Sequence, residues 1–549
     1  MKNKFIVIKH KRKNHTYISV ATSNGYGKGY GNQVGIGRLE KLEDLSSNPI
    51  NVIKNVCETL SITDSKEKIK QSIMFALNSS KTEVYNVNYG INILYDLINK
   101  FEIFDALPKT RHKELNKILK YTIASRIIDA NSYISIHKNK YKYEDAPNTS
   151  KDSYYSLLNL IYDNKENLLK RINEKVIKNT SRKVELVFYD STTMYFESFS
   201  HLGLRHSGYS KDGKFKEDQV VVGMATDENG IPIHIETFKG NTANSKTFIP
   251  FVLEMSKIYE IKNVTIIADK GMSTSSNIRF LEQKGINYII SYRLKSGAKS
   301  FKDFVLDESN YVGDENFKYK EETIVSLYNK KRPNGKLRRR IVTFSKKRAL
   351  KDKADRQNLI DNFNKLKNKN GLVETGKLTG GKKYKFFKKV GKAFYELDYK
   401  KVQEDSQFDG YYIYETSRMD LTSEEIVEIY AKQWQIEENF RTMKSSLQVR
   451  PMYVWTDKHI EAHILLCFMS LVIMKFLLYS VNKTLKDTGV IDRFSNERVI
   501  KAIKSAEKVV KVVDGQIKEE IYIRNTQNSD YISDFETIQT IFSKIVQVI

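Results

Sequence analysis

The chain has 549 residues, 40% of them hydrophobic, and its 92 lysines and arginines against 66 aspartates and glutamates give a formal net charge of +26. This length exceeds a single hydrophobic core, which stops growing near about 250 to 300 residues, and the charge favours a polyanionic partner, although solubility or a lysine-rich composition would account for it too. Only Cys57 and Cys467 occur, which argues against a disulfide framework or a cysteine zinc site and for an intracellular protein.

Neither the start of the chain nor its longest apolar stretch is predicted to be a membrane segment. The run Phe5 to Ile8 is the only apolar stretch near the start, and it is shorter than the roughly 7 to 15 apolar residues of a signal peptide. The longest apolar stretch, Ile464 to Tyr479, is interrupted by Lys475 and falls short of the ~20 residues that cross a bilayer. We expect this stretch to be a buried core helix.

Residues 1 to 180 form the first block. Polar strand patterns and a glycine-rich stretch from Gly25 to Gly37 are followed by helical periodicity over 91–136 and 154–177. The glycines suggest a phosphate loop, but they lack the Lys-Ser/Thr that such a loop requires, so a hairpin loop is the simpler interpretation. The block is predicted to be a mainly α region that begins with short strands.

A regular series of elements begins at Val184. The run 184–189 reads as a first strand ending at Asp190, and the runs 219–226 and 231–238 flank Asn229-Gly230, a pair suited to a tight hairpin. A helical pattern over 245–259 leads to a fourth strand, 264–268, which ends at Asp269. A helix that Ser and Thr residues at 273–276 can cap and Gly285 can end then precedes a fifth strand over 286–292. The predicted order is β-β-β-α-β-α-β.

About 110 residues separate the fifth strand from the next strongly helical stretch, 421–447. They are rich in lysine and in short aromatic pairs, with basic runs at 330–332, 338–340, 346–348 and 382–392. An insertion that grips phosphates is one interpretation, and a solvated charged face is the other. The predicted domains are therefore 1–180, 181–295 as the first part of a core, 296–408 as a basic β-rich insertion, 409–480 as the second part of the core, and 481–549 as a C-terminal helical region.

Three carboxylates stand in settings that suit a metal-dependent site. Asp190 and Asp269 each follow an apolar run, and Glu437 lies in the predicted helix 421–447. Buried strands that end in aspartate hold their carboxylates rigidly, and hard divalent cations need several converging oxygen ligands. Each aspartate taken alone could equally be a helix or turn cap.

Four other side chains can share the helix face of Glu437. Offsets of −7, −4, +4 and +7 place them one and two turns away on a continuous helix. The cations among them could hold phosphates on either side of a scissile bond while the glutamate holds a metal. An ordinary amphipathic surface remains the alternative for these four residues, which are Tyr430, Gln433, Arg441 and Lys444. His463, on an apolar helix, reads more simply as a core residue than as a ligand.

These motifs resemble the DDE transposases of bacterial insertion elements, in the branch signed by Tyr-x2-Arg-x3-Glu-x6-Lys. The chain reads Tyr430-x2-Gln433-x3-Glu437-x6-Lys444, so glutamine replaces the arginine of the signature, and Arg441 is the candidate to take over its phosphate contact. Further resemblance lies in 189–193, 230–234, 240–242, 268–272 and 450–455, and it covers roughly residues 184 to 480.

The resemblance implies an α/β fold with a ribonuclease H-like mixed-sheet core. In that core Asp190, Asp269 and Glu437 would be the catalytic residues and would bind two Mg²⁺ ions, with Mn²⁺ as a substitute. Tyr430, Gln433, Arg441 and Lys444 would contact DNA. The expected activity is cleavage at the ends of an element and transfer of the 3′-ends into target DNA.

The expected partners are double-stranded DNA and a second copy of the chain, since two ends must be paired, and no membrane. The expected location is the bacterial cytoplasm, at the nucleoid. The block 1–180 is the candidate for end binding, because a catalytic core contacts phosphates rather than base edges. Two other functions stay open: a DNA-binding derivative that has lost catalysis, and a structure-specific nuclease on the same fold.

Overall fold

The computed structural model describes residues 5–548 except 13–14, 25–28, 47, 80–81, 109–112, 181, 183, 211–212, 214–215, 260–262, 295–296, 326–335, 375–385, 392–393, 514–515 and 524–528. The start of the predicted glycine loop, the whole basic run at 330–332 and part of the run at 382–392 therefore lie outside the described residues.

The strands of the described residues are, in chain order, β1 (Phe5–Arg12), β2 (His15–Ser23), β3 (Tyr30–Arg38), β4 (Thr82–Asn88), β5 (Leu186–Tyr195), β6 (Gln219–Thr226), β7 (Pro232–Lys239), β8 (Thr265–Ala268), β9 (Asn287–Ser291), β10 (Val312–Gly313), β11 (Phe317–Val325), β12 (Leu337–Ser345), β13 (Val373–Glu374), β14 (Phe387–Val390), β15 (Phe394–Leu397), β16 (Tyr411–Thr416), β17 (Glu507–Val513) and β18 (Gln516–Tyr522).

The α-helices are α1 (Leu39–Glu43), α2 (Pro49–Thr59), α3 (Lys66–Ser79), α4 (Ile91–Lys100), α5 (Lys113–Ile128), α6 (Tyr133–Lys138), α7 (Asp152–Asp163), α8 (Lys165–Thr180), α9 (Asn244–Ile258), α10 (Ser275–Lys284), α11 (Lys299–Leu306), α12 (Lys346–Leu366), α13 (Tyr399–Ser406), α14 (Ser423–Ala431), α15 (Trp434–Ser445), α16 (Asp457–Asp487), α17 (Asn496–Ser505) and α18 (Ser529–Val548).

The chain divides into two compact units. The first comprises residues 1–92, 139–146 and 501–537, and the second comprises 93–138, 147–500 and 538–549. The predicted block 1–180 is thus shared between the units, and the C-terminal region, for which helices alone are predicted, also contains the strands β17 and β18.

The first unit contains two small antiparallel sheets. One has the order β1-β2-β3 and the other β18-β17-β4. Helices α2 and α3 cover one face of the β1-β2-β3 sheet, because alternate apolar residues of the strands and one apolar stripe of each helix form a common core; its members include Val20, Val34, Ile53 and Ile73.

The second unit is organised around a nine-stranded mixed sheet of order β10-β11-β12-β16-β9-β8-β5-β6-β7. Strands β5, β8 and β9 run parallel, while β6 is antiparallel to both β5 and β7. Counted from β5, the five strands β5 to β9 take the spatial order 3-2-1-4-5, which confirms the predicted ribonuclease H-like core. Helices α9 and α10 bury one face of this core against β5 and its neighbours.

The residues predicted to cap helix α10 do so. Thr274 accepts a hydrogen bond from Asn277 N at the start of α10, and Gly285 ends that helix with a φ of +69°. A left-handed residue at this position favours glycine, because no Cβ clashes with the carbonyl that follows. The sequence therefore predicts both ends of α10 correctly.

The residues between β9 and β16 do more than form a separate insertion. Strands β11 and β12 continue the central sheet by pairing with each other and, through β12, with β16. The remainder includes the 21-residue helix α12 and a small sheet of order β13-β15-β14. This part of the chain therefore extends the same sheet that carries the core strands.

The long apolar stretch of the sequence forms α16. Among the described residues it is the one helix that is long and apolar enough to cross a membrane, and 83% of its apolar window is buried within the protein. Helices α5, α7, α8 and α15 pack against it. The predicted core helix is confirmed.

Two predicted boundaries are wrong. Strand β5 does not end at Asp190 but continues to Tyr195, because β6 pairs with it from Phe188 to Tyr195 while β8 pairs only as far as Tyr189. The predicted helix over 421–447 is two helices, α14 and α15, with a break at Lys432 and Gln433. There the main-chain N–H groups bond to carbonyls three residues back, at 3.1 Å and 3.0 Å, instead of four.

Candidate active site

Asp190 and Asp269 lie beside each other on neighbouring parallel strands. The last registered pair of β5 and β8 is Tyr189 with Ala268, so the two aspartates are the next pair along. Neighbouring strands are about 4.8 Å apart, and paired residues of parallel strands point to the same face. Both aspartates are half-buried. The sheet therefore presents two carboxylates together at the point where β8 stops.

The carboxylate of Asp269 is held by the loop that follows it. Gly271 N donates a hydrogen bond of 2.7 Å to Oδ1 of Asp269. A Cβ placed on Gly271 would lie 2.8 Å from that same oxygen, which is closer than side chains tolerate. A side chain at this position would therefore displace the carboxylate of Asp269.

Glu437 and Asp190 line one cavity of about 380 Å³. Glu437 is exposed on α15, in the first turn of the helix, where the helix dipole stabilises a negative charge. Three cations line the same cavity, two on α15 and one in the segment that follows it, namely Arg441, Lys444 and Arg450. Two carboxylates and three cations in one cleft suit a phosphodiester, because the cations can neutralise phosphates next to an acidic centre.

Asp269 lines a different and larger cavity, of about 980 Å³. Lys270, Arg293 and, from helix α12, Arg348 and Lys351 contribute to its walls. In the part of the chain that the structure describes, no three Asp, Glu, His or Cys side chains converge closely enough to hold a metal ion. The structure thus brings Asp190 together with Asp269 by register and with Glu437 by a shared cavity, but it does not bring all three to one point.

Helix α15 is attached to the core by two buried amides. The side chain of Gln433 donates to the main-chain carbonyl of Tyr189 at 3.1 Å, and that of Asn439 donates to the carbonyl of Gly230 at 2.9 Å. Gly230 lies in the turn between β6 and β7. These two bonds fix the helix to the core and so constrain the position of Glu437.

Tyr430 is buried on the other side of the helix break. Its hydroxyl accepts a hydrogen bond of 3.1 Å from the Tyr412 hydroxyl, and its ring packs edge-on against Tyr414. Burial raises the pKa of Tyr430, and the charges of Tyr412 and Asp269 raise it further. Tyr430 and Gln433 are thus buried, at 9% and 7% exposure, whereas Arg441 is exposed and Lys444 half-buried.

Glu438 faces away from the cavity, as its helical position predicts. It forms an ion pair of 3.1 Å with Lys475 of α16 and accepts a hydrogen bond from Asn496. Desolvation lowers the pKa of the buried Lys475, and Glu438 opposes that shift. Glu438 therefore joins helices, which distinguishes it from its neighbour Glu437.

Arg450 and Asn439 are site residues that the predicted helix face does not include. Arg450 follows α15 and enters the cavity of Asp190, and its guanidinium also lies 5.3 Å from the ring centre of Tyr195 on β5. Asn439 has no charge and its contact is to a distant turn, so no local pattern reveals it. For Arg450 the signal is the motif 450–455 itself, in which a cation precedes Pro451 directly after the glutamate helix.

His463 is a buried core residue. The Tyr133 hydroxyl lies 2.7 Å from its Nδ1, and Cys467 lies one turn further along α16, with its Sγ 3.8 Å from Nε2. Burial, with a contribution from the nearby Arg126, lowers the pKa of His463 to about 3. The imidazole is therefore neutral at physiological pH.

The chain was compared with protein families, curated proteins and solved structures, and the first comparison identifies a family. A family model described as transposase DDE domain matches residues 182–473. A comparison with curated proteins gave no match. Among solved structures, the piggyBac transposase synaptic complex with hairpin DNA is 8% identical, over 84% of this chain and 85% of that chain, with a TM-score of 0.39. The Mos1 transposase paired-end complex with left transposon end is 12% identical, over 33% of this chain and 59% of that chain, with a TM-score of 0.15. Similarities this low carry no weight for function.

Proposed function

The chain belongs to the family of transposases with a DDE domain, and on that premise we propose that it cuts DNA at the ends of a mobile element and joins the freed 3′-ends to a new site. The observation that carries the proposal is the arrangement of its acidic residues. Asp190 and Asp269 are register neighbours on the central sheet, and Glu437 shares with Asp190 a cavity that three cations line.

The acidic residues fit divalent cations by ligand type and by place in the fold. Asp190, Asp269 and Glu437 supply the carboxylate oxygens that hard cations prefer, and neighbouring carboxylates that repel one another gain from a cation between them. We propose two Mg²⁺ ions, for which Mn²⁺ can substitute. When bound, such ions activate water and stabilise the leaving oxygen of an in-line displacement.

The basic residues of the cavity hold the DNA backbone. Arg441, Lys444 and Arg450 bind the phosphates on either side of the scissile bond, and their charge keeps the strand in contact with two carboxylates that would otherwise repel it. Gln433 and Asn439 keep α15 in place through their bonds to main-chain carbonyls. Tyr430 accepts a hydrogen bond from Tyr412, which lines the cavity of Asp269.

The reaction proceeds in two displacements at phosphorus. In the first, a water oxygen bonds to the phosphorus at the element's end, the bond to O3′ breaks, and O3′ takes a proton to become a free hydroxyl. In the second, that 3′ oxygen loses its proton and bonds to a target phosphorus, and the target's own O3′ leaves. No covalent bond to the protein forms.

Two ends must be held together for transposition, so we propose that the active form is at least a homodimer on double-stranded DNA. The protein would act where that DNA is, at the nucleoid in a bacterial cytoplasm. The net charge of +26 supports a polyanionic partner in general terms.

Two alternatives differ from transposition in what they do to DNA. A catalytically inactive DNA-binding derivative is suggested only by Gln433, and the burial of Gln433 against Tyr189 gives that residue a role in holding the helix instead. A structure-specific nuclease on the same fold would use the same carboxylates.

Strand joining separates the three functions. The purified chain is incubated with Mg²⁺, a supercoiled plasmid and a labelled fragment that carries the DNA flanking the gene for the chain. A transposase transfers the labelled 3′-end into the plasmid. Cleavage without joining would instead indicate a nuclease, and binding without cleavage would indicate an inactive derivative.

A further inference from the structure

The β1-β2-β3 sheet of the first unit has one face that no helix of its own core covers. Val7, Val20 and Val34 are paired across the three strands and point into the core with α2 and α3. Residues one position away along each strand point to the opposite face. That opposite face carries hydrogen-bonding side chains where the core face carries valines.

We name this the polar sheet face and define it by the cross-strand sets that form it. Registered partners share a face: His10, Tyr17 and Arg38 form one set, and Ile8, Ser19 and Gly35 form the next. Arg12 and His15 continue it at one end, and Gln33 joins it by its contacts. Its members are therefore Ile8, His10, Arg12, His15, Tyr17, Ser19, Gln33, Gly35 and Arg38.

The polar side chains of this face hold one another in place. The amide nitrogen of Gln33 lies 3.0 Å from both Ser19 Oγ and His10 Nε2, and His10 Nε2 lies 2.9 Å from Ser19 Oγ. Arg38 Nε donates to the Tyr17 hydroxyl at 3.0 Å, with its guanidinium 5.6 Å from the centre of the Tyr17 ring. An ordered set of donors and acceptors needs little reorganisation to bind a partner.

Part of the face is open to solvent, although Ser19 on its middle strand is buried. A Cβ built on Gly35 would meet no atom within 4 Å, and Gly35, Gln33, Arg12 and Arg38 are exposed. A missing side chain at an exposed strand position lets a partner approach the main chain closely.

The charge of the strands complements a polyanion. The first 38 residues contain eight lysines and arginines and no aspartate or glutamate; the first acidic residue is Glu40, which lies 3.8 Å from His15 at the edge of the face. Four of these eight cations lie outside the described residues, and Lys9 and Lys11 occupy the alternate positions of β1, which point away from the polar sheet face. The face itself carries the positive charges of Arg12 and Arg38 and has no carboxylate among its members.

From this combination we infer that the polar sheet face is the surface with which the chain reads the sequence of duplex DNA, through the major groove. The major groove, about 12 Å wide, admits two neighbouring β-strands, whose main chains lie about 4.8 Å apart. Arginine can bind the edge of guanine, and glutamine the edge of adenine, with two hydrogen bonds. On the polar sheet face, Arg38 and Gln33 are residues of these two types. The inference rests on the proposed function, for which it names the end-binding surface.

The test selects bound duplexes from a pool with a randomised central segment, using the full-length chain without divalent cations. The key variant is Gly35→Ile, which places a branched side chain on the face where the fold has room for it, so its melting temperature should equal that of the wild type. The second variant, Gln33→Ala with Arg38→Gln, removes base-reading groups without adding bulk. The matched control, Lys54→Gln with Lys70→Gln, changes exposed cations on α2 and α3.

The wild type and the control should enrich one sequence motif and prefer it to a scrambled duplex. In both sheet variants the ratio of affinities for the motif and the scrambled duplex should fall at least tenfold, as expected when bidentate base contacts are lost. Both variants should keep a salt-dependent affinity for any duplex. Enrichment of the same motif by folded Gly35→Ile protein with unchanged preference would overturn the inference, as would a wild type that enriches no motif.

The inference and the proposed function fail in different ways. If the wild type selects a motif through the face but never cuts DNA that carries it in Mg²⁺, the proposed function is wrong and the inference stands. If the wild type cuts and joins DNA while Gly35→Ile reads the same motif equally well, the inference is wrong and the proposed function stands.

Discussion

The side-chain amide of Gln433 donates a hydrogen bond of 3.1 Å to the main-chain carbonyl of Tyr189, the residue directly before Asp190. Gln433 and Tyr189 are both buried. The bond ties the start of the helix that carries Glu437 to the strand that carries Asp190. It therefore gives glutamine a structural role at the position where the family signature has arginine.

Gln433→Met should impair catalysis more than DNA binding. Methionine keeps the volume but donates no hydrogen bond, so α15 loses one of its two buried attachments, and an unpaired buried carbonyl costs about 1–3 kcal/mol of stability. A shift of Glu437 by ~1 Å should lower the single-turnover cleavage rate by about a hundredfold.

Binding to the same DNA in Ca²⁺, measured by fluorescence anisotropy, should stay at the wild-type level. Gln403→Met, at an exposed position on α13, serves as the control for the change of residue type. Weaker binding with an unchanged cleavage rate would show that Gln433 contacts DNA directly, as the helix motif predicts.

Gly271→Ala should disable Asp269 without unfolding the protein. The added Cβ would lie 2.8 Å from Asp269 Oδ1, and because a carboxylate can rotate, the conflict moves the side chain and not the main chain. Cleavage should fall at least about tenfold, since a misplaced reacting group is costly, while calorimetry shows nearly the wild-type melting temperature. A fully active variant would argue against the position assigned to Asp269.

The core strands can be predicted from the sequence because each includes a mostly apolar run, and because the helices α9 and α10, which are close in sequence, bury one face of them. Thr274 and Gly285 mark the ends of α10 as their types predict. The end of β5 does not follow, because the residues after Asp190, Ser191 to Thr193, are buried by pairing with β6. That pairing is decided by a strand some thirty positions away.

The candidate site is predicted only in part, for a similar reason. Glu437, Arg441 and Lys444 share a helix, and the cavity contains all three. Tyr430 and Gln433 are separated from them by a break that depends on contacts with Tyr412 and Tyr189. Helical spacing describes an isolated helix and contains no information about such tertiary contacts.

Arg450→Gln should weaken DNA binding and lower its dependence on salt. The cavity places Arg450 with Asp190 and Glu437, so its charge should contact a phosphate and release about one counterion on binding. The slope of log K against log salt concentration should fall by about 0.9. Lys486→Gln, at the exposed end of α16, is the matched control, and an equal slope change in both variants would contradict a specific contact.

His463 should make stability depend on pH in the acidic range. Its pKa in the folded protein is about 3, below the ~6.5 of an unfolded histidine, so between these values the unfolded chain binds one more proton. Stability is therefore lost as pH falls below about 6.5, and at pH 5 the loss attributable to His463 is about 2 kcal/mol.

Urea unfolding of the wild type and of His463→Gln at pH 7 and pH 5 measures this contribution. The difference between the two proteins should shrink by about 2 kcal/mol at the lower pH. His15→Gln, at an exposed histidine, should behave like the wild type, and a pH dependence unchanged in His463→Gln would show that other groups cause it.

The measurement that tests the central claim most directly is strand cleavage and joining in Mg²⁺ by three single variants, Asp190→Asn, Asp269→Asn and Glu437→Gln. Asp303→Asn and Glu428→Gln, at exposed positions outside the site, control for the loss of one negative charge. Each of the three site variants should bind the DNA in Ca²⁺ as tightly as the wild type and show no cleavage or joining, while both controls remain active. Full cleavage and joining by any one of the three would contradict the assignment of the site.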